Sequence, residues 1–88
     1  MGAAVTSPDD DKRRLFLIRA SDTPDALMRV LGVAGVRQTR VRALTAELAP
    51  DGLAIRLEID DQGDHGAQVL AARLRACPSV REVGVGWR

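Results

Sequence analysis

Apolar positions alternate between a period of two and a helical period along residues 14–87, and each switch marks an element. RLFLIRA at 14–20 is short, apolar and bounded by polar residues, which predicts a central strand. Phe16, Ile18 and Ala20 share one of its faces; Leu15, Leu17 and Arg19 share the other. Both faces are partly apolar, so a contact surface beyond the domain's own core is expected. Within SDTPDALMRVLGVAG, residues 21–35, the spacing turns helical: Leu27, Val30, Leu31 and Ala34 form one stripe. Asp22 or Thr23 supplies the N-cap, Pro24 suits the first turn, and Asp25 there complements the helix dipole.

TRVRALTAELA at 39–49 alternates again, with Thr39, Val41, Ala43 and Thr45 on one face and Arg40, Arg42 and Leu44 on the other. PDG at 50–52 is a turn signal, and LAIRLEI at 53–59 points Leu53, Ile55, Leu57 and Ile59 inward, so the two strands form a hairpin. After a loop at 60–64, HGAQVLAARLRAC at 65–77 predicts a second helix with Ala67, Leu70, Leu74 and Cys77 inward, stopped by Pro78. VREVGVGW at 80–87 closes the chain as a strand, with Val83, Val85 and Trp87 on one face and Gly84 and Gly86 leaving the other nearly bare.

The resulting order is β-α-β-β-α-β. Two helices on one face of a four-stranded antiparallel sheet is the ferredoxin-like α+β sandwich. Residues 1–12 are polar, with Pro8 and three consecutive aspartates, and are expected to be a disordered arm before a domain at 13–88. They lack the apolar stretch of a secretory signal, and no run approaches the ~18 apolar residues of a membrane span, which points to the cytoplasm. With 88 residues the core is small, so oligomerisation is a reasonable expectation.

Chemistry narrows the function classes. The net charge of +1 and the two aromatics, Phe16 and Trp87, do not suit an RNA-recognition sheet, which stacks bases on aromatic side chains. Cys77 is the only cysteine, so neither a disulfide within the chain nor a paired-cysteine metal-transfer loop is available. Asp22 and Asp25 would repel the phosphate that an acylphosphatase-like loop must hold. Cys77 and His65 sit at opposite ends of one helix, about three turns apart, so no nucleophile–base pair is expected. The chain is read as non-catalytic, with no cofactor and no metal of its own.

The first strand–loop–helix resembles an ACT domain. An acidic residue, a proline and helically spaced leucine and valine stand here as Asp22, Pro24, Leu27, Val30 and Leu31. More narrowly, PDALMRVL at 24–31 is similar to the P-E-x-L-x-R-V-L pattern of the short, single-ACT-domain small subunit of acetolactate synthase. Leu70, Leu74, Val80 and Val83 continue that spacing. Asp25 and Gln38 stand where many ligand-binding members carry glycine.

The resemblance implies an effector loop at Asp22, Thr23, Pro24, Asp25, Ala26 and Leu27. It implies a homodimer in which edge strands 39–49 pair into one eight-stranded sheet. A catalytic subunit that carries thiamine diphosphate would be the partner, and a branched-chain amino acid the effector. Arg40, Arg42, Leu44, Leu15 and Leu17 are the expected dimer-edge or partner contacts. A stand-alone amino-acid sensor and a ligand-free dimerisation module are the alternatives.

Overall fold

The computed structural model describes residues 12–35 and 40–87; the segment 1–11, with nearly all of the expected arm, lies outside them, as do Gln38 and Thr39. The elements are β1 (Arg13–Ala20), α1 (Ala26–Gly35), β2 (Val41–Ala49), β3 (Gly52–Asp60), α2 (Gly63–Arg75) and β4 (Val80–Trp87). They form one antiparallel sheet in the order β2-β3-β1-β4. This is the expected ferredoxin-like arrangement, with β2 at an edge.

The core lies between the sheet and the two helices. Phe16, Ile18 and Ala20 of β1 and Ile55, Leu57 and Ile59 of β3 supply its sheet side, with Val83 of β4. Ala26, Val30 and Ala34 of α1 and Ala67, Leu70, Ala71 and Leu74 of α2 supply the helix side. Small residues recur on both helices, which lets their backbones approach the bulkier strand side chains and keeps the packing dense. The α1 stripe is centred one residue earlier than expected. Val30 and Ala34 are buried, but Ala26 takes the inner position and Leu27 packs on its flank.

Both helix starts differ from the expectation, and α2 ends at Arg75, so Cys77 lies in the turn beyond it and not in the helix. Helix α1 begins at Ala26, after a turn in which the Ala26 N–H donates to the Thr23 carbonyl at 3.1 Å. Pro24 therefore sits in the lead-in turn. Helix α2 begins two residues early, at Gly63, whose φ of +87° suits glycine and whose N–H donates to an Asp61 carboxylate oxygen at 3.0 Å.

The alternation of β2 is corrected outright. Val41 opposes Ile59, yet Ala43 opposes the next residue, Glu58. Arg42 is the extra residue of a β-bulge, and every following side chain changes face. Leu44 therefore opposes Leu57 and packs against the rim of the core, whereas the expectation put it on the sheet face away from the helices. Ala43 and Thr45 take that outer face instead.

Candidate functional site

The loop expected to hold an effector leaves the C-terminal end of β1. Because β2 runs parallel to β1 with β3 between them, the turn at Pro50–Asp51 lies at the same end. The Ser21 N–H donates to the Ser79 carbonyl at 2.7 Å, which ties this loop to the α2–β4 connection. Arg81 donates to the Asp51 carbonyl at 2.6 Å, and Arg19 pairs with the Asp51 carboxylate at 3.3 Å. Three connections are thus stitched together around the start of α1.

Within the loop, Asp22, Thr23, Pro24 and Asp25 are exposed, Leu27 is half-buried, and Ala26 is fully buried. Ala26 shapes the loop from beneath and presents no side chain to a ligand. Asp25 is engaged by its own helix: the Arg29 Nε donates to Asp25 Oδ2 at 2.6 Å, four residues on. This pair, then the Thr23 side chain and the Asp25 N–H, holds the Asp25 carboxyl below the usual carboxylate range. The charge that would repel an incoming carboxylate is therefore partly matched by Arg29. Both side chains are 54% exposed, so the pair contributes little to stability.

The remaining expected contacts do not gather here. Arg40 and Arg42 lie at the opposite end of the sheet, where both approach the Asp60 carboxylate, Arg42 at 2.8 Å and Arg40 at 4.0 Å. Leu15 and Leu17 lie on the open face of β1, Leu17 well exposed. His65 is exposed at the start of α2, while Cys77 is buried and directs its thiol to the Arg73 carbonyl at 3.7 Å. Among the described residues no group of three or more His, Cys, Asp or Glu side chains is placed to hold a metal ion, and no helix is long and apolar enough to cross a membrane.

Sequence reading missed one built cluster. Arg14 is buried, its guanidinium stacks 3.8 Å from the Trp87 ring centroid, and it donates at 2.9 Å to both Asp61 and Asp64. Burial alone would push Arg14 toward losing its proton, but its bonds to Asp61 and Asp64 outweigh this and raise its pKa above the ordinary value. Asp61 is held below the usual carboxylate range, chiefly by Arg14, against a smaller opposing effect of burial. The available signal was the shared face of Arg14 and Trp87 on adjacent strands.

A pH dependence follows. The folded protein keeps Asp61 ionised at pH values where the unfolded chain protonates it. Its stabilisation is therefore complete above the ordinary carboxylate range and lost as pH falls through the lowered folded value. Urea midpoints of the native protein are expected to fall as pH drops below the ordinary carboxylate range. Arg14→Met should flatten part of that decline. Equal slopes for the two proteins would show that Arg14 does not set the Asp61 titration.

No family model matches the chain, and neither does any curated protein sequence. Solved structures do. The crystal structure of the ACT domain from the GTP pyrophosphokinase of Chlorobium tepidum aligns with a TM-score of 0.73 at 21% identity, covering 84% of this chain and 96% of that one. The solution structure of the C-terminal domain of the MgtC protein from Mycobacterium tuberculosis aligns with a TM-score of 0.74 at 13% identity, covering 94% of each chain. Sheet order, helix placement and these likenesses together show that the chain has the βαββαβ fold of an ACT domain.

Proposed function

We propose that this chain is a non-catalytic regulatory subunit that works as a side-by-side dimer and docks on a larger enzyme. The observation that carries this reading is the β2 edge, which beyond its bulge at Arg42 has no strand on its outer side from Ala43 to Ala49 among the described residues. Leu48 is 74% exposed there, and Val41 is exposed at the other end of the same strand. The opposite edge is blunted, because Arg75 donates at 3.0 Å to the Val83 carbonyl of β4. An open edge with apolar side chains invites pairing, and two β2 strands joined antiparallel make one eight-stranded sheet. Each copy's loop at 22–25 would then lie beside the end of the partner's β2.

The PDALMRVL resemblance supports the catalytic subunit of acetolactate synthase as the docking partner. The thiamine diphosphate belongs to that subunit. The regulatory dimer acts by binding the active conformation of its partner more tightly, and an effector shifts the balance by its preference for one state. A branched-chain amino acid would place its ammonium at Asp22, the exposed carboxylate of the loop that Arg29 leaves alone. A stand-alone sensor would show ligand binding without an enzyme partner, and a dimerisation module would show neither.

Thermal unfolding against valine, leucine and isoleucine tests the effector site. A ligand at 100 times its Kd stabilises by about 2.7 kcal/mol, a rise of roughly 10–20 °C for a domain of this size. Asp22→Ala is expected to remove that rise without changing the unliganded Tm by more than about 2 °C. An unchanged Tm with all three amino acids would mean that this loop is a helix lead-in and not an effector site.

A further inference from the structure

The sheet face away from the helices is uncovered, but its two halves differ. On the β3 side, Glu58 lies between Arg13 at 3.3 Å and Arg56 at 3.4 Å and is only 8% exposed. Long arginine stems already roof the Glu58 corner of that half. On the β4 side there is no such roof. Across the β1–β4 pair, Leu15 faces Gly86, Leu17 faces Gly84, and Arg19 faces Glu82. Leu17 is 52% exposed. A Cβ added at Gly84 would meet only the Leu17 carbonyl oxygen, at 3.9 Å, and one at Gly86 would meet nothing within 4 Å. A groove of about 600 Å³ crosses the whole face, from Thr45 and Glu47 on β2 and Arg56 on β3 to Leu17, Glu82 and Gly84.

We infer that this half-face is a self-association surface, on which a second copy of the chain docks sheet to sheet. The pattern is self-complementary about a two-fold axis parallel to the strands and lying between β1 and β4. That axis exchanges the two strands between copies. Leu17 of each copy falls on Gly84 of the other, Leu15 on Gly86, and Arg19 on Glu82. Size and charge both match, as an isologous contact requires. An axis over the sheet centre would instead set Glu47 against Glu82, like charge on like. The shared footprint is about two strand widths of ~4.8 Å by eight residues of ~3.3 Å, roughly 250 Å² per copy. That is well below the ~800 Å² per partner of a standard stable interface, so the contact is weak and concentration-dependent. It uses the edge and face opposite to the β2 pairing and stands without it.

Sedimentation velocity of the full chain over a concentration series, to about 1 mM, reads the association. Glu82→Arg sets arginine against Arg19 and is expected to weaken it at least about tenfold. The double variant Arg19→Glu with Glu82→Arg should restore it. Gly84→Val fills the seat of the partner's Leu17 while fitting the monomer, and should also weaken it, with Tm confirming that each variant is folded. Leu48→Lys, on the β2 edge, separates the two contacts. Association lost with Glu82→Arg and Gly84→Val but kept with Leu48→Lys is the expected result. Association that ignores Glu82→Arg and Gly84→Val, or no association at any concentration, overturns the face-to-face contact.

Discussion

Replacing Gly52 with alanine is expected to lower the Tm by roughly 12–24 °C, from a loss of about 3 kcal/mol. Gly52 closes the β2–β3 hairpin opposite Ala49 with φ at +144°, a conformation that residues with a Cβ rarely adopt. The added Cβ would also land on the Ala20 carbonyl oxygen, with the Ala20 carbonyl carbon at 3.4 Å. Both obstacles are backbone, so no side chain can swing aside. The turn and the end of β1 must separate, and with them the bonds from Arg81 and Arg19 to Asp51. Gly86→Ala is the control, since a Cβ there meets nothing within 4 Å. A Tm for Gly52→Ala within a few degrees of the parent would mean that the hairpin does not press on β1 as described. The same separation would displace the loop at 22–25, so the variant should lose any effector response before it loses its fold.

Phe16→Ala should cost about 3–5 kcal/mol, measured by urea unfolding at neutral pH. Phe16 is fully buried on a central strand, flanked by Leu57 on β3 and Val85 on β4. It is the only phenylalanine in the chain, and four of the seven helix residues in its core cluster are alanines, so little can collapse into the cavity. A domain of this length holds roughly 4–13 kcal/mol in total, so the variant is expected to be largely unfolded or close to it at 37 °C. Leu17→Ala, one residue along, should cost less than about 1 kcal/mol, because its side chain lies on the open face. The contrast between neighbours reads the period of the strand directly. Equal losses at the two positions would place β1 in the wrong register.

Most of the fold was legible because its central strands are strongly patterned. Leu53, Ile55, Leu57 and Ile59 alternate without a break, and Phe16, Ile18 and Ala20 face the same core, so their inward faces followed from period alone. β2 was misread beyond Arg42 because its alternation is faint. Alanine and threonine carry little preference for either face, and a bulge leaves no mark in such a pattern. The early start of α2 was visible in DQGD at 61–64, where an aspartate two residues before a glycine reaches its N–H.

The loop at 22–25 follows β1 as its sequence order requires, but the partner of the Asp25 charge needed a further step. The four-residue spacing of Asp25 and Arg29 on a helix start implies their ion pair, and that pair changes what Asp25 offers to a ligand. The Arg14 cluster was only partly legible, through the shared face of Arg14 and Trp87 on neighbouring strands. It joins residues 14, 61, 64 and 87 through the sheet register, which only the pairing of β1 with β3 and β4 reveals.

Reconstitution with the catalytic subunit of acetolactate synthase from the same source decides whether this chain is its regulatory partner. The chain is titrated into that subunit while sedimentation and acetolactate formation are followed together. The regulatory reading predicts a complex that contains this chain as a dimer and a turnover that rises with its formation. Leu48→Lys should weaken both together. A catalytic subunit that sediments and turns over unchanged at saturating concentrations of this chain would contradict the assignment.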